Sequence, residues 1–182
     1  MSKSHWFLAA ASVGMVFAVA GCIFSQNAYI ENSEFDLALP AFDKSATQIT
    51  LGVFQNLSGS DRRYLRRRRD GQMVKEEYLR WLMAPELMLQ RCMYGAFSVD
   101  PEGAADQLPR VSCHLYRFEF DDNTVAAKLS AEFFIEREGK RQVVRVDVSA
   151  PVNGELTGES GAAAMNACAG RAFAELRKAL KK

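Results

Sequence analysis

Apolar and polar positions along this chain change period several times, and each change marks an element. Val125, Ala127, Leu129, Ala131, Phe133 and Ile135 alternate with Lys128, Ser130, Glu132 and Glu136. Val144, Val146, Val148 and Ala150 alternate in the same way with Arg145, Asp147 and Ser149. A period of two predicts strands with one buried and one wet face, as in antiparallel sheets, and Gly139 supplies the turn between them. Residues 111–120 read differently, with Cys113 and Leu115 facing one way and Tyr116, Phe118 and Phe120 the other. That pattern predicts a strand covered on both faces. Residues 49–54 form an apolar run of strand formers, closed by the loop signal Gln55-Asn56-Leu57-Ser58-Gly59-Ser60.

Two further elements come from turn chemistry and a longer period. Asp70-Gly71 lies between two polar arms, and this dipeptide favours two-residue hairpin turns in which both positions need positive φ. From about residue 76 to 93 the spacing turns to three and four, through Tyr78, Trp81, Pro85, Met88 or Leu89, and Cys92. This predicts a helix that either kinks at Pro85 or begins near Ala84, because proline fits poorly in a helix interior. A second helix is expected over about residues 160–180, with its stripe on Met165, Cys168, Ala172 and Leu176 and basic residues at its end. Together these elements predict a mixed α/β fold in one domain over residues 34–182. Its sheet should be largely antiparallel with about five to six strands, packed under two main helices.

The N-terminus follows another logic. Lys3 precedes an apolar stretch over residues 7–20 that contains no acidic residue. This is a secretory signal with a positive head and an apolar segment too short to span a bilayer. Val19, Ala20 and Gly21 then precede Cys22, which matches the bacterial lipobox. The small residues let extended backbone enter the signal peptidase, and the Cys22 thiol is the nearby soft nucleophile that can carry a diacylglyceryl thioether. The expected organisation is therefore a signal over residues 1–21, a lipidated tether over 22–33 and the folded domain over 34–182. Ile23 rather than aspartate follows Cys22, which favours the periplasmic face of the outer membrane. Acyl chains on Cys22 would supply the anchor, since two or more are needed for stable attachment.

Composition narrows the function. The 182 residues carry 23 Lys plus Arg and 22 Asp plus Glu, and loss of Lys3 with the signal makes the mature chain formally neutral. Neutrality argues against a nucleic-acid binder. His114 is the one histidine outside the signal, and no nucleophile elbow, phosphate loop or dinucleotide fingerprint occurs. No catalytic residue, metal site or cofactor is expected beyond the lipid on Cys22. Cys92, Cys113 and Cys168 remain in an oxidising compartment. A Cys92–Cys113 bridge and three separate buried thiols are both open readings.

The densest charge lies in Arg62, Arg63, Arg66, Arg67, Arg68 and Arg69. Two explanations compete. Charge on an edge hairpin blocks edge-to-edge aggregation, and guanidinium forks suit phosphate or an acidic partner. The second makes Arg66, Arg67, Arg68 and Arg69 candidate contacts for a protein partner or a phospholipid head group.

Read in order, these features resemble the ABC-type transport auxiliary lipoproteins, including the lipoprotein of the paraquat-inducible intermembrane transport system. The resemblance rests on the lipobox at Cys22, the Phe35-Asp36-Leu37-Ala38-Leu39-Pro40 segment, the apolar strand over 49–54 and a basic hairpin running into Arg80-Trp81. The Tyr116-Arg117-Phe118-Glu119 strand and the alanine-rich last helix complete it. It implies a non-enzymatic, membrane-anchored component of a lipid-transport system, docking an MCE-domain or ABC-transporter protein, with a homo-oligomer compatible with that place. The alternative is a lipoprotein that scaffolds envelope or secretion-system assembly. Cys22→Ser is expected to abolish acyl labelling and leave a soluble or uncleaved precursor, whereas normal labelling of that variant would refute the lipid attachment.

Overall fold

The computed structural model describes residues 31–38, 45–100 and 108–181, so the signal, Val19, Ala20, Gly21 and Cys22 lie outside the described residues, as do Leu39 and Pro40. From Asn32 onward the chain forms one body. Its elements run β1 (Ser33–Phe35), β2 (Ser45–Asn56), β3 (Arg63–Arg67), β4 (Met73–Trp81), α1 (Pro85–Ala96), β5 (Phe97–Val99), β6 (Arg110–Asp121), β7 (Ala126–Arg137), β8 (Lys140–Pro151) and α2 (Gly158–Leu180). All eight strands join one sheet, so the architecture is the expected mixed α/β domain, with β1 and β5 as short additions.

β6 organises that sheet. One edge pairs antiparallel with β7 along its length. The other edge carries two parallel neighbours end to end, with β2 beside residues Arg110 to Leu115 and β3 beside Phe120 and Asp121. Two strands sharing one edge make the sheet curl. Between Leu115, opposite Ala131, and Arg117, opposite Ser130, Tyr116 is an extra residue that the register passes over. This β-bulge resets the alternation. Phe118 therefore lies opposite Leu129 and joins Cys113 and Leu115 on the buried face, which corrects the face assigned to Phe118 and Phe120, while Glu119 and Asp121 are buried on the other.

The turns follow from backbone chemistry. Glu138 and Gly139 both have positive φ, 51° and 72°, and connect the paired residues Arg137 and Lys140. That is the two-residue hairpin turn. At the arginine hairpin only Gly71 is left-handed. Its N–H donates to Arg68 O at 2.9 Å, and Arg68 N–H donates to Gln72 O at 2.8 Å. The loop is thus longer than the two-residue Asp70-Gly71 turn expected from sequence.

Of the two readings of the segment from residue 76, the helix that begins near Ala84 holds, and the helical spacing before it is corrected. Met73–Trp81 is a strand, antiparallel to β3 and parallel to β1, and the helix begins at Pro85 with Ala84 as its cap. Pro at the first helical position loses no hydrogen bond, because that N–H has no intrahelical acceptor. α2 starts at a capping box: Thr157 Oγ1 accepts from Ser160 N–H at 3.2 Å, and Thr157 N–H donates to Ser160 Oγ at 2.9 Å.

Under α2 lies an aromatic cluster. Tyr64 stacks on Trp81 with ring centroids 4.2 Å apart, and Trp81 meets Phe118 edge-on at 5.1 Å. Phe120 lies 5.0 Å and Phe35 6.0 Å from Tyr64. Trp81 is fully buried, and the Tyr64 hydroxyl donates to Gly158 O at 2.9 Å. The segment after β1 is clasped from both helices. Arg91 of α1 reaches Leu37 O at 3.0 Å, and Asn166 Oδ1 of α2 accepts from Ala38 N–H at 2.8 Å. Gly158 is where α2 crosses Phe35: a Cβ there would sit 1.9 Å from two ring carbons. Gly158→Ala is expected to cost about 1–3 kcal/mol through overpacking, read as a lower urea midpoint with an unchanged slope. An unchanged midpoint would mean that α2 does not press on Phe35.

Candidate functional site

The arginine hairpin is the one sequence-derived candidate surface that falls within the described residues. Pairing of β3 with β4 and β6 sets it between carboxylates from distant parts of the chain. Arg66 Nε donates to Asp122 Oδ1 at 2.6 Å, and its NH1 lies 3.3 Å from Glu76 Oε1. Arg67 grips Glu119 with both limbs, at 3.0 and 3.2 Å, and Arg117 reaches the same carboxylate at 2.6 Å. Arg62 pairs with Glu34 at 2.6 Å, and Arg63 with Asp61 at 2.8 Å. Asp61 also accepts from Lys75 at 2.9 Å. Arg68 and Arg69 at the hairpin tip are exposed.

So the four candidate contacts divide. Arg66 and Arg67 are built into a charge ladder across β3, β4 and β6, while Arg68 and Arg69 face water. Beside them a groove of about 530 Å³ is lined by Arg66, Arg69, Asp122, Val125, Glu155 and Leu156. Its two cations are matched by two carboxylates, which makes it a poor seat for a lone phosphate.

Electrostatics follow the same geometry. Burial alone would raise the Glu119 carboxyl, whose side chain is 4% exposed, but the bonds from Arg67 and Arg117 outweigh it and hold it below its ordinary value. The bond from Arg63 holds Asp61 far below the usual carboxylate range, and Lys128 lowers Asp121 at 2.5 Å.

The bridge weighed between Cys92 and Cys113 is not formed: Cys92, Cys113 and Cys168 are free and buried. Cys92 Sγ faces Ala38 O at 3.8 Å, whereas Cys113 sits in the sheet between Phe54 and Phe133. Burial pushes the thiols up, to about 11 for Cys92, about 12 for Cys113 and about 11 for Cys168. At neutral pH they stay protonated and are weak nucleophiles. His114 packs edge-on against Phe134 at 4.7 Å, with Cys113 on the opposite face of the strand. Among the described residues no group of three or more His, Cys, Asp or Glu could hold a metal ion.

Sequence reasoning missed a second cationic concavity. Strand register sets Arg110 opposite Glu136, and a cavity of about 450 Å³ is lined there by Thr50, Arg110, Glu136, Arg137 and Lys140. Arg141 alongside lies 4.1 Å over the Phe134 ring. In sequence these cations only flank a turn, and no periodicity links Arg110 to them.

No family model matches the chain, and no curated protein does. Solved structures do. One, described only as an uncharacterized protein, superposes with a TM-score of 0.64 at 12% identity, covering 82% of this chain and 99% of its own. Protein XCC0632 from Xanthomonas campestris, described under the family DUF330, gives a TM-score of 0.59 at 14% identity, covering 80% and 92%. At such identities the likeness establishes a shared fold.

The Glu119 clasp has a defined pH signature. A carboxylate whose folded pKa is depressed contributes stability that is present above its unfolded value, 4.5, and is lost as pH falls through the folded value. Glu119→Gln is therefore expected to cost about 1–3 kcal/mol at neutral pH, with the gap to wild type narrowing as pH falls below 4.5. Urea unfolding on both sides of that value reads this, and a gap independent of pH would show that charge is not what holds Arg67 and Arg117.

Proposed function

We propose that this chain is a lipid-anchored, non-enzymatic docking component of an ABC- or MCE-type lipid-transport assembly, held at the periplasmic face of the outer membrane by Cys22. The supporting observation is where the residues behind the family resemblance lie. Phe35 of the first segment pairs in register with Trp81 of Arg80-Trp81. Trp81 packs on Phe118 of Tyr116-Arg117-Phe118-Glu119, and Glu119 takes the bond from Arg67 of the basic hairpin. Motifs scattered over the sequence form one contiguous unit, as expected if they specify a shared domain rather than match by chance.

In this reading the anchored body presents a rigid surface to an MCE-domain or ABC-transporter partner, and Arg68 and Arg69 are the exposed cations at the hairpin tip. His114, engaged with Phe134 rather than with a nucleophile, fits a protein that binds and does no chemistry. The test is co-purification of the full-length protein from solubilised envelopes with an MCE-domain protein encoded beside it. Wild type should retain the partner more strongly at low salt than at physiological strength, where exposed charges are screened beyond ~8 Å. Arg68→Ser combined with Arg69→Ser should weaken retention while leaving the melting temperature unchanged. Normal anchoring with no MCE or permease partner would overturn the reading in favour of an envelope scaffold.

A further inference from the structure

Every sheet has edges, and this one treats them unequally. β1 and β5 expose only three residues each, and the open part of β4 carries Lys75, Glu76 and Glu77. Short strands and dense charge are the usual protections against pairing with another chain. β8 has neither. It is twelve residues long, pairs with β7 from end to end without a register shift, and among the described residues pairs with β7 alone. It contains no glycine, and its proline stands at the end. Val143 on its outer face is 45% exposed. One backbone group is capped: the Arg171 guanidinium donates to Ser149 O.

We propose that β8 is a twofold interface on which a second copy of this chain lays its own β8 antiparallel, making one continuous sheet. Charge supports a second copy as the occupant. Arg145 and Asp147 share the outer face, opposite Glu132 and Ser130 of β7. When Val146 faces Val146 of the second copy, Arg145 faces Asp147 and Asp147 faces Arg145, two opposite-charge cross-strand pairs. Sliding to a centre on Arg145 or Asp147 sets like charges face to face, and a slip by a single residue mixes outer with inner faces. A centre on Val144 pairs Arg141 with Asp147 but overlaps less of the strand. An isologous contact requires just such a self-complementary patch.

The neighbouring helix is consistent with this. α2 packs along β8, and a groove of about 240 Å³ between them is lined by Ala150, Pro151, Asn153, Ala163, Ala167 and Arg171. Ala163 and Ala167 are exposed, where a solvated helix face usually carries charge. A twofold about Val146 brings the two α2 helices side by side, and alanines there permit close approach. The Arg171 cap means that the backbone of the odd-numbered residues points to the open edge. Val146 then forms a non-hydrogen-bonded pair with its mate, at a Cα separation of about 4.5 Å, within disulfide range.

The test uses full-length protein in mild detergent, with mass measured by light scattering after size exclusion. Wild type should be a dimer at tens of micromolar. Asp147→Arg should weaken dimerisation about tenfold or more, and Arg145→Asp combined with Asp147→Arg should restore it. Val146→Cys should give a cross-linked dimer on non-reducing gels beyond any seen for wild type, and Val144→Cys should not. Cross-linking through Val146→Cys reads the interface even if a charge variant folds poorly. A wild-type monomer, a dimer indifferent to Asp147→Arg, or no cross-link through Val146→Cys would overturn the proposal. So would a β8 edge occupied instead by a strand of another protein.

Discussion

Tyr116 has no place in the β6–β7 register, and that single extra residue fixes how the second half of β6 meets the core. Without it, strict alternation from Cys113 and Leu115 would turn Phe118 and Phe120 to the outer face. With it, both rings fall on the side where Tyr64 and Trp81 stack. The same shift turns Arg117 and Glu119 outward, in reach of Arg67. One inserted residue therefore builds the aromatic cluster on one face and the charge ladder on the other. β3, β4 and β1 dock through these two features, so the first half of the domain depends on a local fault in a strand of the second half.

The ladder changes the meaning of the arginine run. A cluster of like charges on adjacent positions is self-repulsive, yet here Arg62, Arg63, Arg66 and Arg67 each meet a carboxylate. Exposed ion pairs contribute little apiece. Glu119 differs because it is buried, and removing either of its guanidinium partners would leave charge short of compensation in a poorly solvated place. Within this hairpin, what remains exposed at the tip is Arg68 and Arg69.

Much of the fold was legible in the sequence, and what was not shares a cause. β7 and β8 announce themselves by alternation because each has one wet face. α2 is legible because alanines, cysteine and methionine repeat at helical spacing over many turns. Residues 76–84 stayed ambiguous because Tyr78, Trp81 and Pro85 fit a period near three and a half as well as a strand followed by a cap. β6 was misread because a bulge is invisible to any fixed period. The parallel pairings of β2 and β3 with β6, and the bonds of Arg66 to Asp122 and of Arg67 to Glu119, join residues more than fifty positions apart. No local pattern encodes such partners, so the candidate contacts could be named but not divided into those spent on folding and those left outside. The cationic cavity at Arg110, Arg137 and Lys140 escaped for the same reason.

Division of charge between fold and surface also bears on how such a body resists aggregation. A long regular edge next to an alanine-lined helix flank would be an aggregation hazard unless something covers it. The chain protects its other edges by shortness and charge, so leaving β8 regular over its whole length is not a general feature of this sheet. Arg145 and Asp147 do not guard that edge as a like-charged pair would, since their signs cancel. They select: Arg145 pairs with Glu132 and Asp147 accepts from Ser130 within the chain, so an incoming strand gains from them only where it sets opposite charge beside each, and one that mirrors them is held in a single register. An edge that discriminates in this way serves association better than it serves solubility.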